Sequence, residues 1–139
     1  MDFAILIDAL ETAETGQPTR LLSRGEALGF LDEAIHFRRT VSYAALRLTG
    51  ELARHLQGDV RARAARALAS WVDSEPAAVE RLLFELVGDP DDEVRAAVAE
   101  TLGALLAATV EKSLVAERWR KHSREARAAL REARRLLPG

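Results

Sequence analysis

Apolar residues recur at steps of 3 and 4 along nearly the whole of this 139-residue chain, the spacing of helices that each hide one face. The pattern predicts helices near 2 to 14, 20 to 38, 41 to 56, 59 to 72, 75 to 87 and 91 to 108. Nothing alternates with the period of two that a half-buried strand requires. Two of these helices are versions of one segment: Val60 to Trp71 and Val94 to Leu105 superimpose 34 positions apart, apolar on apolar at steps of 4, 4 and 3. The preceding helix repeats as well, since Ala44, Arg47, Leu48, Glu51 and Leu52 fall on Ala78, Arg81, Leu82, Glu85 and Leu86. A fixed period of this size marks stacked helical hairpins, each shielding its apolar face against the next copy.

Complete hairpins therefore cover residues 41–74 and 75–108 of a repeat body spanning 1–109. Residues 1–40 read as a degenerate first unit, in which Phe30, Ala34 and Phe37 fall on Ala64, Leu68 and Trp71 while Glu26 replaces the valine. Local punctuation agrees. Ser23 and Glu26 have the spacing of a capping box, Thr40 stands where a cap for the next helix belongs, and Pro76 follows Ser74 and Glu75 in a first turn. Gly58 and Gly88 stand at expected helix stops, and Asp91, Asp92 and Glu93 follow Pro90 at the positive end of a helix.

Residues 110–139 are expected to form one long helix. Val115, Trp119, His122, Ala126, Ala129, Ala133 and Leu136 recur at alternating steps of 4 and 3 from 115 to 136, the pattern of a helix seam. At about 1.5 Å per residue such a helix is about 40 Å long. Two readings follow: the stripe packs on the repeat body, or part of the helix projects and joins a second copy as a homodimer.

Composition narrows the class. The chain is 48% hydrophobic, much of it alanine, and only 5% aromatic, which favours helices in close contact over thick sheet cores. The absence of cysteine removes disulfides and thiolate chemistry. The amino terminus lacks the positive start and unbroken apolar core of a secretory signal, and no apolar run approaches the roughly 20 residues needed to cross a bilayer; a cytoplasmic, non-membrane protein is expected. The net charge of −2 hides an asymmetry: residues 1–109 hold 18 acids against 11 bases, and residues 110–139 hold 4 against 9. An acidic body with a basic end prompts a search for a partner of that end.

Asp92 to Leu105, introduced by Gly88-Asp89-Pro90-Asp91, closely resembles the second-helix signature of HEAT-like repeats, and Asp59-Val60-Arg61 with Ala65 and Leu68 is a weaker match. The resemblance implies an all-α chain, a short α-solenoid of about three HEAT-like hairpins followed by the long C-terminal helix. It also implies that second helices line a face that commonly binds proteins and sometimes nucleic acid. In that family Asp and Arg near the turn bond between neighbouring repeats, a role carried to Asp59, Arg61, Asp92 and Arg95. Some HEAT-like proteins ligate iron through adjacent His-Glu pairs, but His36, His55 and His122 here precede Phe37, Leu56 and Ser123.

No catalytic chemistry is visible beside this. There is no HExxH motif, no triad signature and no phosphate loop, and Asp89, Asp91 and Asp92 lack the ligand spacing of a calcium loop. No enzyme, cofactor or metal is expected. Two surfaces are candidates for binding. The first is the ridge of second helices, with Arg61, Arg63, Arg66, Ser70 and Trp71 on one and Arg95 and Glu100 on the next, suited to a carboxylate-rich protein partner. The second is an arc of the C-terminal helix bearing Arg120, Arg124, Arg127, Arg131, Arg134 and Arg135, suited to an acidic protein surface or to nucleic-acid phosphates. The leading reading is a non-catalytic adaptor, and the alternative is a nucleic-acid-binding subunit.

Overall fold

The structure, a computed structural model, describes residues 21–137. The helix expected at 2 to 14 and the loop from Thr15 to Thr19 lie outside the described residues. Seven α-helices and no strand occur among those described: α1 (Arg24–His36), α2 (Ser42–Leu52), α3 (Gly58–Ala67), α4 (Pro76–Leu86), α5 (Asp92–Ala108), α6 (Lys112–His122) and α7 (Arg124–Leu136). A 3-10 turn, Leu68–Trp71, extends α3.

Their starts follow local chemistry. At α1 the Ser23 hydroxyl accepts from the Glu26 amide at 3.2 Å while the Glu26 carboxylate accepts from the Ser23 amide at 3.3 Å, which completes the capping box. Asp91 caps α5 by accepting from the Glu93 amide at 2.8 Å, and Pro76 opens α4. Two sequence expectations fail here. Thr40 does not cap α2: the cap position is Val41, which makes no side-chain bond, and Thr40 instead belongs to the preceding turn, its amide donating to the Phe37 carbonyl at 3.1 Å. Gly58 opens α3 instead of closing α2. A Cβ there would sit 1.9 Å from an Asp91 carboxylate oxygen, so the glycine is needed for close approach to the next unit.

Helices α1, α3, α5 and α7 lie side by side in one layer, and α2, α4 and α6 form the other, each packed on the helix that follows it. Between the layers Leu48, Leu52, Leu68, Trp71, Leu83 and Leu102 are fully buried, each contributing about 2 to 3 kcal/mol by burial. The layers are also pinned by polar contacts. The Thr101 hydroxyl of α5 donates to the Ala65 carbonyl of α3 at 2.8 Å, and the Trp71 indole donates to the Ser42 hydroxyl at 3.2 Å. In α1 the buried positions are Ala27, Leu31 and Ala34, which fall on Val60, Ala64 and Ala67 with an offset of 33, one less than the body period.

The single long C-terminal helix is replaced by a hairpin. Ser123 is extended, with φ −170° and ψ 168°, and its hydroxyl accepts from the Ala126 amide at 3.0 Å as the cap of α7. The fold-back has a packing cause: Val115 and Trp119 bury against one layer, and Ala126, Leu130 and Ala133 against the other. A straight helix cannot place both halves on the body. These seam residues are buried within the chain, so the seam is not open to a second copy, while His122 and Leu136 face outward.

The hairpin α6–α7 is a further repeat. Glu125 to Glu132 matches Glu93 to Glu100 at five of eight positions with an offset of 32. Buried Ala126, Leu130 and Ala133 then fall on buried Val94, Val98 and Thr101. The helix layer thus continues without interruption from α1 to α7.

A candidate binding ridge and its arginine-faced end

Over the apolar core that joins neighbouring units, most of the charged contacts between them are arginine–carboxylate pairs. Arg24 meets Asp59, Arg63 meets Asp32 at 3.4 Å, Arg54 meets Glu85 at 2.9 Å, and Arg66 reaches both Glu100 at 2.8 Å and Glu93 at 3.1 Å. Across α4 and α6, Glu80 accepts from Arg118 at 2.9 Å and from the Trp119 indole at 3.0 Å, while Phe84 stacks on Trp119 with ring centroids 4.4 Å apart. Most of these pairs are exposed and are each worth less than about 1 kcal/mol.

One pair differs. Arg61 forks onto Asp89 with 2.8 and 3.0 Å bonds and also donates to the carbonyls of His55 and Leu56, both at 2.9 Å. The side chains are only 16% and 9% exposed. Asp89 additionally accepts from the Asp91 amide at 2.9 Å. Burial pushes the Asp89 carboxyl up, but the Arg61 bonds, the Asp91 amide and the charges of Arg61 and Arg95 outweigh it and hold the group below the ordinary aspartate range. Arg24 does the same for Asp59.

The expected turn bonds therefore exist for Asp59 and Arg61, which link units. Arg95 instead stays within its own unit, bound to Asp92 and to the Asp89 carbonyl at 2.7 Å. Asp89 is the unit-to-unit acid that the signature left unassigned.

The sequence-derived ridge divides in the same way. Arg61 is absorbed into the turn and Trp71 is 1% exposed in the core, so neither is available to a partner. Arg63, Arg66, Ser70, Arg95 and Glu100 do line the outer surface of α3 and α5, although Arg63, Arg66 and Arg95 already hold carboxylates. Beside them a groove of about 420 Å³ runs between α5 and α7. Its floor is Val87, Ala96, Ala99, Ala128 and Ala129, and its rim carries Arg95, Arg124, Glu125 and Glu132. Periodicity did not reveal this groove because the break at Ser123 creates it.

The six tail arginines are also redistributed. Arg120 ends up on α6, bound to Glu117 at 2.8 Å. Arg135 is held by Glu132 at 2.6 Å. Arg124, Arg127, Arg131 and Arg134 remain exposed on α7.

No His, Asp or Glu cluster that could hold a metal occurs among the described residues. His55 is structural: its Nδ1 accepts from the Gln57 amide at 3.0 Å and its Nε2 faces the Leu22 carbonyl at 2.6 Å, which places the proton on Nε2. No helix among the described residues is long and apolar enough to cross a membrane.

The family comparison agrees with stacked helical hairpins: the model of HEAT repeats matches residues 45–134. The chain belongs to the HEAT repeat family. The HEAT match runs through α6 and most of α7, in keeping with their packing as a repeat. No curated protein and no solved structure matches the chain.

Proposed function

We propose that this HEAT-repeat chain is a non-catalytic scaffold that holds a protein partner across the exposed ridge of α3, α5 and α7. Solenoids offer such continuous faces because every unit presents equivalent positions on one side. The observation that carries the reading is the groove between α5 and α7, whose alanine floor accepts an apolar side chain while Arg95, Arg124, Glu125 and Glu132 orient the polar groups around it. Arg63, Arg66, Ser70 and Glu100 extend the surface along α3 and α5. A scaffold role needs no reactive group, and the polar side chains of the ridge act as donors and acceptors to a partner's backbone and side chains.

Site-specific photocrosslinking in the source cell tests this. A crosslinker at Ala96 or Ala128 is expected to capture one protein, and Ala128→Glu with the crosslinker at Ala96 is expected to abolish capture. Capture of the same protein from Lys121, which is exposed on α6, or its persistence in Ala128→Glu, would overturn the ridge as the docking face.

A further inference from the structure

Helices α3 and α5 each carry a small–Leu–small set, with the leucine between the layers and a small residue against the next helix of the same layer. In α3 the set is Ala65, Leu68 and Ala69, and in α5 it is Ala99, Leu102 and Gly103. Ala65, Leu68, Ala99 and Leu102 are all buried. Contact of this set with the next helix is direct at Gly103, where a Cβ would lie 3.6 Å from the Ala133 carbonyl of α7. With the offset of 32 the same positions of α7 are Arg131, Arg134 and Arg135. They are exposed in the described chain.

Arg124, Arg127, Arg131 and Arg134 fall within an arc of roughly 80° on α7 and rise about 15 Å along it. The side chains of Arg124, Arg131 and Arg134 have no hydrogen-bonding or ionic partner among the described residues. Arg127 donates only to the Arg120 carbonyl, at 3.2 Å. Its equivalent in α3, Arg61, holds the Asp89 carboxylate that precedes the next helix. The outer side of α7 is therefore a cationic face on which Arg124, Arg127, Arg131 and Arg134 hold no carboxylate among the described residues.

We propose that this face binds an acidic α-helix of a partner protein, laid alongside α7 as the next member of the layer, with its carboxylates on Arg127, Arg131 and Arg134. Two parallel or antiparallel helices share one rise per residue, so acids at successive helical turns meet arginines at successive turns. Guanidinium groups bind carboxylates through forked bonds that fix the alignment. A nucleic acid fits this face less well. No aromatic side chain stands on the arc for bases to stack on, and Glu125 and Glu132 border it within a body of net negative charge that repels phosphates.

The proposal is independent of the groove. Its probe is a fluorescent alanine-based helical peptide with glutamates at helical spacing, compared by anisotropy with a scrambled peptide of identical composition and with duplex DNA of equal charge. The patterned peptide is expected to bind at about 0.15 M salt. Scrambling it, or changing the protein by Arg131→Glu with Arg134→Glu, is expected to weaken binding at least about tenfold. Lys112→Ala, exposed at the start of α6, is expected to leave it unchanged, and the thermal unfolding of both variants shows that they fold. Equal binding of the scrambled peptide, tighter binding of DNA, or no loss in the charge-reversed protein would each overturn the proposal.

Discussion

Helices α5 and α7 carry the same Glu-x-Arg-Ala-Ala frame and bury equivalent residues on the side facing the preceding helix, yet they differ on the side facing the next. There α5 has Ala99, Leu102 and Gly103, and α7 has Arg131, Arg134 and Arg135. The comparison separates two influences on a repeat helix. The side toward the preceding unit is set by packing that every copy must make, and the other side is buried in α5 and exposed in α7 within the described chain. This holds only if α6–α7 is a working unit of the stack.

The largest expected effect tests that condition. Trp119 is fully buried, stacked on Phe84 and bonded to Glu80 of the preceding unit. Trp119→Ala removes that core contact and leaves the Glu80 carboxylate without one of its donors, a loss of about 3 to 5 kcal/mol. Urea unfolding measures it. A loss below about 1 kcal/mol, the size of an ordinary surface change, means that the C-terminal hairpin only rests on the body and that α7 is no true counterpart of α5.

The next effect compares three equivalent arginines, Arg61, Arg95 and Arg127, in α3, α5 and α7 of one layer. Arg61→Ala strands a nearly buried Asp89 carboxylate and frees two carbonyls, at a cost of about 3 kcal/mol. Arg95→Ala and Arg127→Ala break exposed contacts and cost less than about 1 kcal/mol each. The difference depends on pH with a definite sign. The folded Asp89 carboxyl is held below the ordinary aspartate range, near 3.9, so the folded state binds fewer protons there than the unfolded state. Its contribution is complete above that range and is lost as pH falls through the lower folded value. Urea midpoints of Arg61→Ala and the unaltered chain are therefore expected to converge as pH is lowered from about 5 to about 2; a constant gap means that Asp89 is not the partner that matters.

Much of this was readable from residue order. The 34-residue offset located α3 and α5 and with them the family, because both copies bury the same apolar ladder. The capping box at Ser23 was readable because its two bonds are local. The last unit was missed because its offset is 32, and because the seam from Val115 to Leu136 keeps helical spacing straight through Ser123. Side-chain periodicity cannot register a serine that turns extended. A search for the Glu-x-Arg-Ala-Ala string with a variable offset finds the copy. Arg61 and Trp71 were misplaced for a related reason: helical spacing gives a residue's face, but whether that face meets water or the next unit depends on the stack.

The smallest expected effect is the sharpest test of the comparison. Arg131→Ala with Arg134→Leu gives α7 the residues that α5 carries as Ala99 and Leu102. In α5 those residues are buried, and removing them opens a cavity. On α7 they gain no covering from the described chain, and the two arginines they replace have no partner to lose. The urea-unfolding free energy is therefore expected to change by less than about 0.5 kcal/mol. Leu102→Ala in the same helix position of α5 is expected to cost about 2 to 5 kcal/mol. One alignment column then has two energies, set by burial in α5 and by exposure in α7. If the arginine replacements destabilise the chain by more than about 1 kcal/mol, the arginines are holding structure together, and the end of the layer is not the open face that the comparison with α5 requires.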